Sequence, residues 1–381
     1  MGMELVRTIR LKLLVSPEQK QVLDTTLRAN RNALNFTSKV AFQNGGLSAF
    51  KKLQQLVYKQ LREDLGLKSQ MACNVCSAVA STYASAKSNQ RMKLASFSHS
   101  KLVYSYNRDY TVQANEQTVS IGTLDKRIKV PFLVGENYLP YLLSQDWLFG
   151  SAELVPTRKG YSLHVTVKRA IDEPNLTECD AIIGVDRGMN FLAVATNQDD
   201  KAMFFKGRSI KDKKARFVRQ RKDLQRKGTR SAKRKLKKLA GRENRFMTDI
   251  NHQVANEVIK FAKESGNQPC IVLEDLTSIN LNTTVRSGNR YWRFSWAFAQ
   301  LETIIRYKAV TEGIPVLSVS PKFTSQKCPK CGHTERTNRD KKNHRFECRK
   351  CHYKLNDDLV GARNIRDRGR EVRHEIEIAS A

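Results

Sequence analysis

Three acids and four cysteines carry most of the chemistry legible in this sequence. Asp186 ends the apolar run AIIGV, Glu274 ends the apolar run CIVL, and Asp358 stands in KLNDDLVGARNI near the start of a helical pattern. Buried strands open into loops at their C-terminal ends, where sites on open sheets gather. Three acids from distant segments can therefore meet at one end of one sheet. Read singly, each acid is commonly no more than a strand terminator or a helix-end residue. Together they offer hard oxygen ligands for Mg²⁺, which keeps waters and substrate phosphates in its other positions. Two such ions roughly 4 Å apart can activate a water and stabilise the leaving oxygen of a phosphodiester.

The cysteines form a second constellation. Cys328 and Cys331 make one CxxC pair, Cys348 and Cys351 another, with 16 residues between the pairs. That spacing reads as a zinc ribbon, in which four thiolates close a tetrahedral structural site. The block is too polar to be a run of buried thiols, and it holds eight Lys or Arg between positions 329 and 350. Contact with phosphate follows from that charge, and Arg345 is a candidate clamp beside a plain solvated reading. Cys73 and Cys76 form a third pair with nothing to complete it, which favours a packed helix face. Cys179 and Cys270 stand isolated in the sequence.

The charge balance names a partner class. The chain has 381 residues, 68 Lys+Arg against 37 Asp+Glu, and a formal net charge of +31. A soluble chain so basic is expected to meet a polyanion, because phosphates neutralised by Lys and Arg release counterions. From Lys206 to Arg245 there are 19 basic and 3 acidic residues, interleaved with Phe217, Leu224, Leu236 and Leu239, so the segment can pack as helices. Lys233, Arg234, Lys235, Lys237 and Lys238 are its densest cluster. Contacts of this kind position a nucleic-acid backbone without reading its sequence. No apolar run reaches the roughly 18 residues of a membrane span, and the first residues lack a signal-peptide pattern, so a cytoplasmic location is expected.

The elements that must hold these residues can be read in outline. Residues 5–15 alternate as a strand, and Ser16-Pro17 with Gln19 forms a capping box that opens helical patterning. Two more helical stretches follow, LSAFKKLQQLVYKQLRED and KSQMACNVCSAVASTYASAKSN. Gln70 and Asn74 lie four apart on the third of these helices, where they could read adenine edges or simply form a polar face. From about 100 to 170 the pattern is β, with AELVP and YSLHVTVK as a hairpin. Tyr104, Tyr106 and Tyr110 are strand aromatics there, with base stacking as the sharper alternative. After a polar linker, AIIGVDRG, NFLAVATN and AMFFKG read as three strands. The strand PCIVLEDL, the helix SWAFAQLETIIRYKAVTEG and the strand IPVLSVSP follow, an α/β layout.

The motifs IIGVDRGMNFLAVAT, IVLEDL and NDDLVGARNI, with the four-cysteine ribbon before the third, resemble the three-part RuvC nuclease of TnpB proteins. These are transposon-encoded, RNA-guided DNA endonucleases related to type V CRISPR effectors. The resemblance covers the C-terminal half by motif and the N-terminal half by element order alone. It implies that Asp186, Glu274 and Asp358 are the catalytic, Mg²⁺- or Mn²⁺-binding acids. Of the adjacent pair, Asp358 keeps the family spacing to Asn364-Ile365, which leaves Asp357 as a first-turn acid favoured by the helix dipole or a supporting group. The family's third motif usually reads Asp-x-Asn-Ala-Ala-x-Asn-Ile, and Val360 and Gly361 depart from it here.

The fold expected is α/β and β multi-domain. A β-barrel is assigned residues 1–15 and 96–170, with a helical insertion over 16–95 and a linker over 171–180. An RNase H-like (RuvC) nuclease follows over 181–322 with basic helices at 206–265. A zinc ribbon at 323–354 interrupts it before a last helix at 355–381. The partners implied are a guide RNA and target double-stranded DNA with a short target-adjacent motif, without membrane or small-molecule substrate. A catalytically silent RNA-guided repressor and an RNA-independent RNase H-like nuclease or transposase fit part of the same pattern. A purely structural zinc-ribbon RNA-binding protein would leave the three acids unexplained.

Overall fold

The computed structural model describes residues 3–99, 101–158, 160–188, 190–276, 298–340 and 343–380. They form two compact units, Gly2–Ile171 and Asp172–Ala381.

In the first unit, β1 (Met3–Leu13) pairs antiparallel with β7 (Gly160–Ile171) along its whole length, from Met3↔Ile171 to Leu13↔Tyr161. Its alternation is realised: Leu5, Ile9, Leu11 and Leu13 are buried. The capping box is present as read, since the Ser16 side chain accepts from the Gln19 amide and the Gln19 side chain accepts from the Ser16 amide. It opens α1 (Pro17–Gln43), followed by α2 (Phe50–Glu63) and α3 (Ser69–Ser88). The remaining strands are β2 (Leu102–Ser105), β3 (Tyr110–Gln113), β4 (Thr118–Gly122), β5 (Arg127–Leu133) and β6 (Leu148–Thr157), with the short helix α4 (Leu139–Leu143) before β6. The sheet order is β2-β6-β7-β1-β5-β4-β3. Its end strands are consecutive in the chain and joined by a tight turn, in which the Asp109 amide donates to the Ser105 carbonyl at 3.0 Å. Tyr104 on one end strand donates its hydroxyl to Gly122 at 3.1 Å, and Tyr110 on the other donates to Gly150 at 2.8 Å. Each tyrosine thus reaches a strand from the opposite half of the order, and the sheet curls until its ends meet.

The second unit is built on a five-stranded sheet, order β10-β9-β8-β11-β12. β8 (Ala181–Asp186), β9 (Phe191–Thr196) and β10 (Ala202–Lys206) form an antiparallel meander, while β11 (Pro269–Glu274) and β12 (Val316–Val319) run parallel to β8. AIIGV is apolar throughout because both faces are covered. Ile183 and Val185 pack in the cluster that holds α6 (Arg230–Ser265) and α7 (Phe298–Thr311). Ile182 packs in the cluster of Val272 and Ile365 under α8 (Asp357–Ser380). Residues 295–297, expected to begin α7, lie outside the described residues.

α8 lies unusually close to the sheet. A Cβ on Gly184 would sit 2.1 Å from the Ala362 carbonyl oxygen, and one on Gly369 would sit 2.4 Å from Val272 Cγ2. Glycine lets backbone meet backbone at Gly184 and lets the α8 backbone rest on the Val272 side chain at Gly369. The basic segment forms α5 (Arg208–Lys227) and α6 as a helical hairpin. Gly228, at φ 62°, closes α5, and the Thr229 side chain caps α6 by accepting from the Ala232 amide. Three short antiparallel strands, β13 (Arg339–Asp340), β14 (Arg345–Glu347) and β15 (Lys354–Asn356), build the cysteine block and run straight into α8.

A candidate nuclease centre beside a four-cysteine cluster

Strand parity aims the first two acids. Side chains alternate along a strand, so Asp186 shares the face of Gly184, and Glu274 shares that of Val272. Both faces lie under α8. The parallel register puts Leu273 beside Val185, which makes Asp186 and Glu274 neighbours at the strand ends. Asp358 comes from the first turn of α8, capped by Asn356, whose side-chain oxygen accepts from the Asp358 and Leu359 amides at 3.1 Å. Gly361, one turn on, touches Asp186: a Cβ there would lie 2.9 Å from Asp186 Oδ2. This is one of the two positions where the third motif departs from the family pattern, and its lack of a side chain leaves the Asp186 carboxylate room.

The electrostatics register the convergence. Burial pushes Asp186 well above the usual aspartate range, and the carboxylates of Glu274 and Asp358 push it further. Burial raises Glu274 too, against the Thr324 hydroxyl and the Arg187 charge. Asp358 is raised by burial and then by Asp357. Acids that resist ionisation together are acids a divalent cation would relieve. Among the described residues, buried Asp358 Oδ2 has no hydrogen-bond partner. The donor set, all carboxylate oxygen, fits a hard cation.

The sequence did not reveal the groups that brace these acids. Arg187 is buried directly after Asp186; it donates to Glu302 Oε2 at 2.8 Å and to the Glu274 carbonyl at 2.5 Å. An arginine next to a buried strand end needs such a partner, and that was the available signal. Thr324 donates to Glu274 Oε1 at 2.5 Å. Asp357 is fully buried, and Arg339 of the cysteine block donates to its Oδ2 at 2.8 Å. Helix capping falls to Asn356, so Asp357 ties α8 to that block. Among the described residues, His344, Asp357 and Asp358 also bring ligand atoms within 4.8 Å of one another.

The four cysteines meet as their spacing predicts. Their sulfurs all lie within 4.8 Å of one another, with Cys328 and Cys351 3.7 Å apart and Cys331 and Cys348 3.5 Å apart. Four sulfurs about 2.3 Å from a central zinc would be about 3.8 Å apart, so the cluster could bind zinc. Burial works against the Cys348 thiolate, but hydrogen bonds from the Cys351 and Lys350 amides and the Cys331 and Cys351 thiols together hold it at about 6.

The other candidates are placed as follows. Lys233, Arg234, Lys235, Lys237 and Lys238 are all exposed on α6. Arg345 is exposed on β14. Gln70 and Asn74 are engaged locally: Gln70 donates to Asn74 Oδ1 at 3.1 Å, and Asn74 donates to the Val103 carbonyl at 2.8 Å. Tyr104 and Tyr110 are buried, and Tyr106 packs on Phe149 with ring centroids 5.0 Å apart. Cys179 and Cys270, isolated in the sequence, share one buried cluster. Among the described residues, no helix is long and apolar enough to cross a membrane.

Comparison with known proteins bears on both halves of this site. A family model described as "Probable transposase" matches residues 162–279, which include Asp186 and Glu274. One described as "Cas12f1-like, TNB domain" matches residues 298–365, which include the four cysteines and Asp358. A CRISPR-associated endodeoxyribonuclease Cas12f1 of Syntrophomonas palmitatica is 32% identical over 37% of this chain and 27% of its own length. InsQ of Escherichia coli K12, provisionally named an RNA-guided DNA endonuclease, is 29% identical over 50% of each chain. A TnpB-like protein of Methanocaldococcus jannaschii is 30% identical over 36% of this chain and 48% of its own. The chain thus spans between about a quarter and a half of these curated relatives. A solved Cas12f1–sgRNA–target DNA complex shares the fold, with a TM-score of 0.63 at 14% identity over 92% of this chain and 83% of that one. The motifs, both family matches and these relatives agree on what the chain is similar to: TnpB-like proteins and Cas12f1 endodeoxyribonucleases.

Proposed function

We propose that this chain is an RNA-guided, metal-dependent endonuclease of double-stranded DNA. The observation that carries the reading is the meeting of three acids, the half-buried Asp186 and Glu274 and the buried Asp358, from β8, β11 and α8 at one end of one sheet. We read the five-stranded sheet with α8 as an RNase H-like (RuvC) nuclease, the curled seven-stranded sheet as a β-barrel, and the four-cysteine block as a zinc ribbon. Guidance by RNA is supported by the kinship with TnpB-like proteins and by the net charge of +31.

Asp186, Glu274 and Asp358 would hold Mg²⁺ or Mn²⁺, which when bound supplies an activated water and stabilises the leaving oxygen of the phosphodiester. The chain's own residues prepare that site. Arg187 locks the end of β11 beside β8 by bonding the Glu274 carbonyl. Arg339 spends its Nε on Asp357, which keeps that acid paired and leaves Asp358 Oδ2 open. The exposed lysines and arginines of α6 would hold nucleic-acid backbone. Without a cation the three carboxylates repel a phosphate, so substrate retention falls to the basic helices.

The test is to purify the chain expressed with the DNA that flanks it and to sequence the bound RNA. A defined RNA, whose variable end directs Mg²⁺-dependent cutting of a matching duplex, is the expected result. Mg²⁺-dependent cutting by RNA-free protein would point to an RNA-independent nuclease.

A further inference from the structure

Asn364 belongs to the last motif, yet none of the chemistry above uses it. It is buried, and its Nδ2 donates to the Thr324 carbonyl at 2.6 Å and to the Lys327 carbonyl at 2.8 Å. A side-chain amide has two hydrogens, so both are spent on one loop. That loop runs from the end of β12 to Cys328, and it is closed on itself by the Gln326 and Lys327 amides, each 2.9 Å from the Phe323 carbonyl. At its centre the buried Thr324 hydroxyl lies 2.5 Å from Glu274 Oε1 and 3.1 Å from the Pro321 carbonyl. One hydroxyl proton serves one acceptor best, and the carboxylate is the nearer and stronger.

We propose that Thr324 is a positioning residue that fixes the rotamer of Glu274, and that Asn364 fixes Thr324. The proposal rests on the reading of Glu274 and Asp358 as cation ligands. Glu274 stands on β11 and Asp358 on α8, two elements joined only through the fold. Asn364 lies on the same helix as Asp358, so the chain Asn364–Thr324–Glu274 spans the gap with two short hydrogen bonds. A glutamate side chain is among those that lose most rotamer freedom on ordering. The Thr324 hydroxyl supplies that order in advance, occupies Oε1 and leaves Oε2 for the cation. Pre-set ligands bind more tightly than ones that must be gathered.

The experiment uses the full chain with Mn²⁺ as the probe, followed by electron paramagnetic resonance. Thr324→Val, which keeps the shape and removes the hydroxyl, is expected to weaken Mn²⁺ binding about tenfold. Thr324→Ser restores the hydroxyl and is expected to bind within about twofold of wild type. The melting temperatures of all three should agree within a few degrees. In cleavage, the valine variant needs more Mg²⁺ for half-maximal rate, with nucleic-acid affinity unchanged. If valine does not fold into the site, Thr324→Ala removes the same hydroxyl. Wild-type Mn²⁺ binding by the valine or alanine variant, while Glu274→Gln binds weakly, overturns the proposal and spares the reading beneath it. Unchanged binding in Glu274→Gln removes that reading and the proposal together.

Discussion

Gly184 and Ala362 meet backbone to backbone. A Cβ on Gly184 would lie 2.1 Å from the Ala362 carbonyl oxygen and 2.5 Å from the Arg366 amide nitrogen. Neither atom belongs to a flexible side chain, so neither can yield cheaply. The contact sets the depth of α8 on the sheet, and with it the distance from Asp358 to Asp186.

Gly184→Ala should therefore lift α8. Overpacking of this kind costs about 3 kcal/mol at the upper end of its range. Thermal unfolding should show the loss, and cleavage should fall even though no acid has changed. Gly313→Ala is the control for a substitution that meets no atom, since nothing lies within 4 Å of a Cβ there; its cost should come only from its positive φ of 71°.

The adjacent acids Asp357 and Asp358 should separate cleanly. Asp357→Asn removes the charge that pairs with Arg339 in a fully buried position. Breaking such a pair costs about 3–5 kcal/mol, seen as a lower melting temperature. Asp358→Asn removes a carboxylate whose ionisation burial and Asp357 already oppose. It should leave stability intact or improve it while abolishing cleavage. Equal loss of stability in both variants would contradict this division.

Much of this arrangement was legible in the sequence, and the exceptions share one cause. The Ser16–Gln19 capping box, the alternation of β1 and the two CxxC pairs are local patterns, fixed by residues a few positions apart. The apolar runs before Asp186 and Glu274 signalled buried strands whose ends could gather the acids. What stayed hidden depends on register between distant segments. The Arg339–Asp357 pair joins residues 18 apart through a strand and a helix start, and Thr324 reaches Glu274 across 50 positions. Nothing local marked Gly184, because the helix that needs it begins more than 170 residues later. Gln70 and Asn74 read as base readers or a plain polar face, and no local pattern tied Asn74 to its acceptor, the Val103 carbonyl, 29 positions on.

The raised acids make a pH prediction. Asp186 holds its proton more tightly in the folded chain than it would unfolded. Its charge therefore opposes folding near neutrality, and the opposition is relieved as pH falls through the raised folded value. Metal-free Asp186→Asn should melt at a higher temperature than wild type at about pH 7.5, and the gain should shrink toward the ordinary aspartate range of about 4. Mg²⁺ should stabilise wild type at neutral pH and the variant much less. A pH-independent difference would mean that Asp186 is not the strained group.

The basic helix is tested through salt. Lys233, Arg234, Lys235, Lys237 and Lys238 changed together to Gln should weaken RNA binding for all sequences alike. The slope of log K against log salt should become shallower by about 2–4 units, at roughly 0.7–0.9 per lost phosphate contact. Any complex that still forms should cut. An unchanged slope would return these residues to a solvated face.

The central claim is that Asp186, Glu274 and Asp358 form one nuclease centre, and cleavage by the purified protein–RNA complex tests it most directly. The measurement is Mg²⁺-dependent cutting of a duplex matching the bound RNA, run beside duplex binding, for wild type and the Asp186→Ala, Glu274→Ala and Asp358→Ala variants. Wild type should cut only with the cation, and each variant should bind RNA and duplex nearly as well while cutting nothing. Cutting at the wild-type rate by any one of the three variants would contradict the claim.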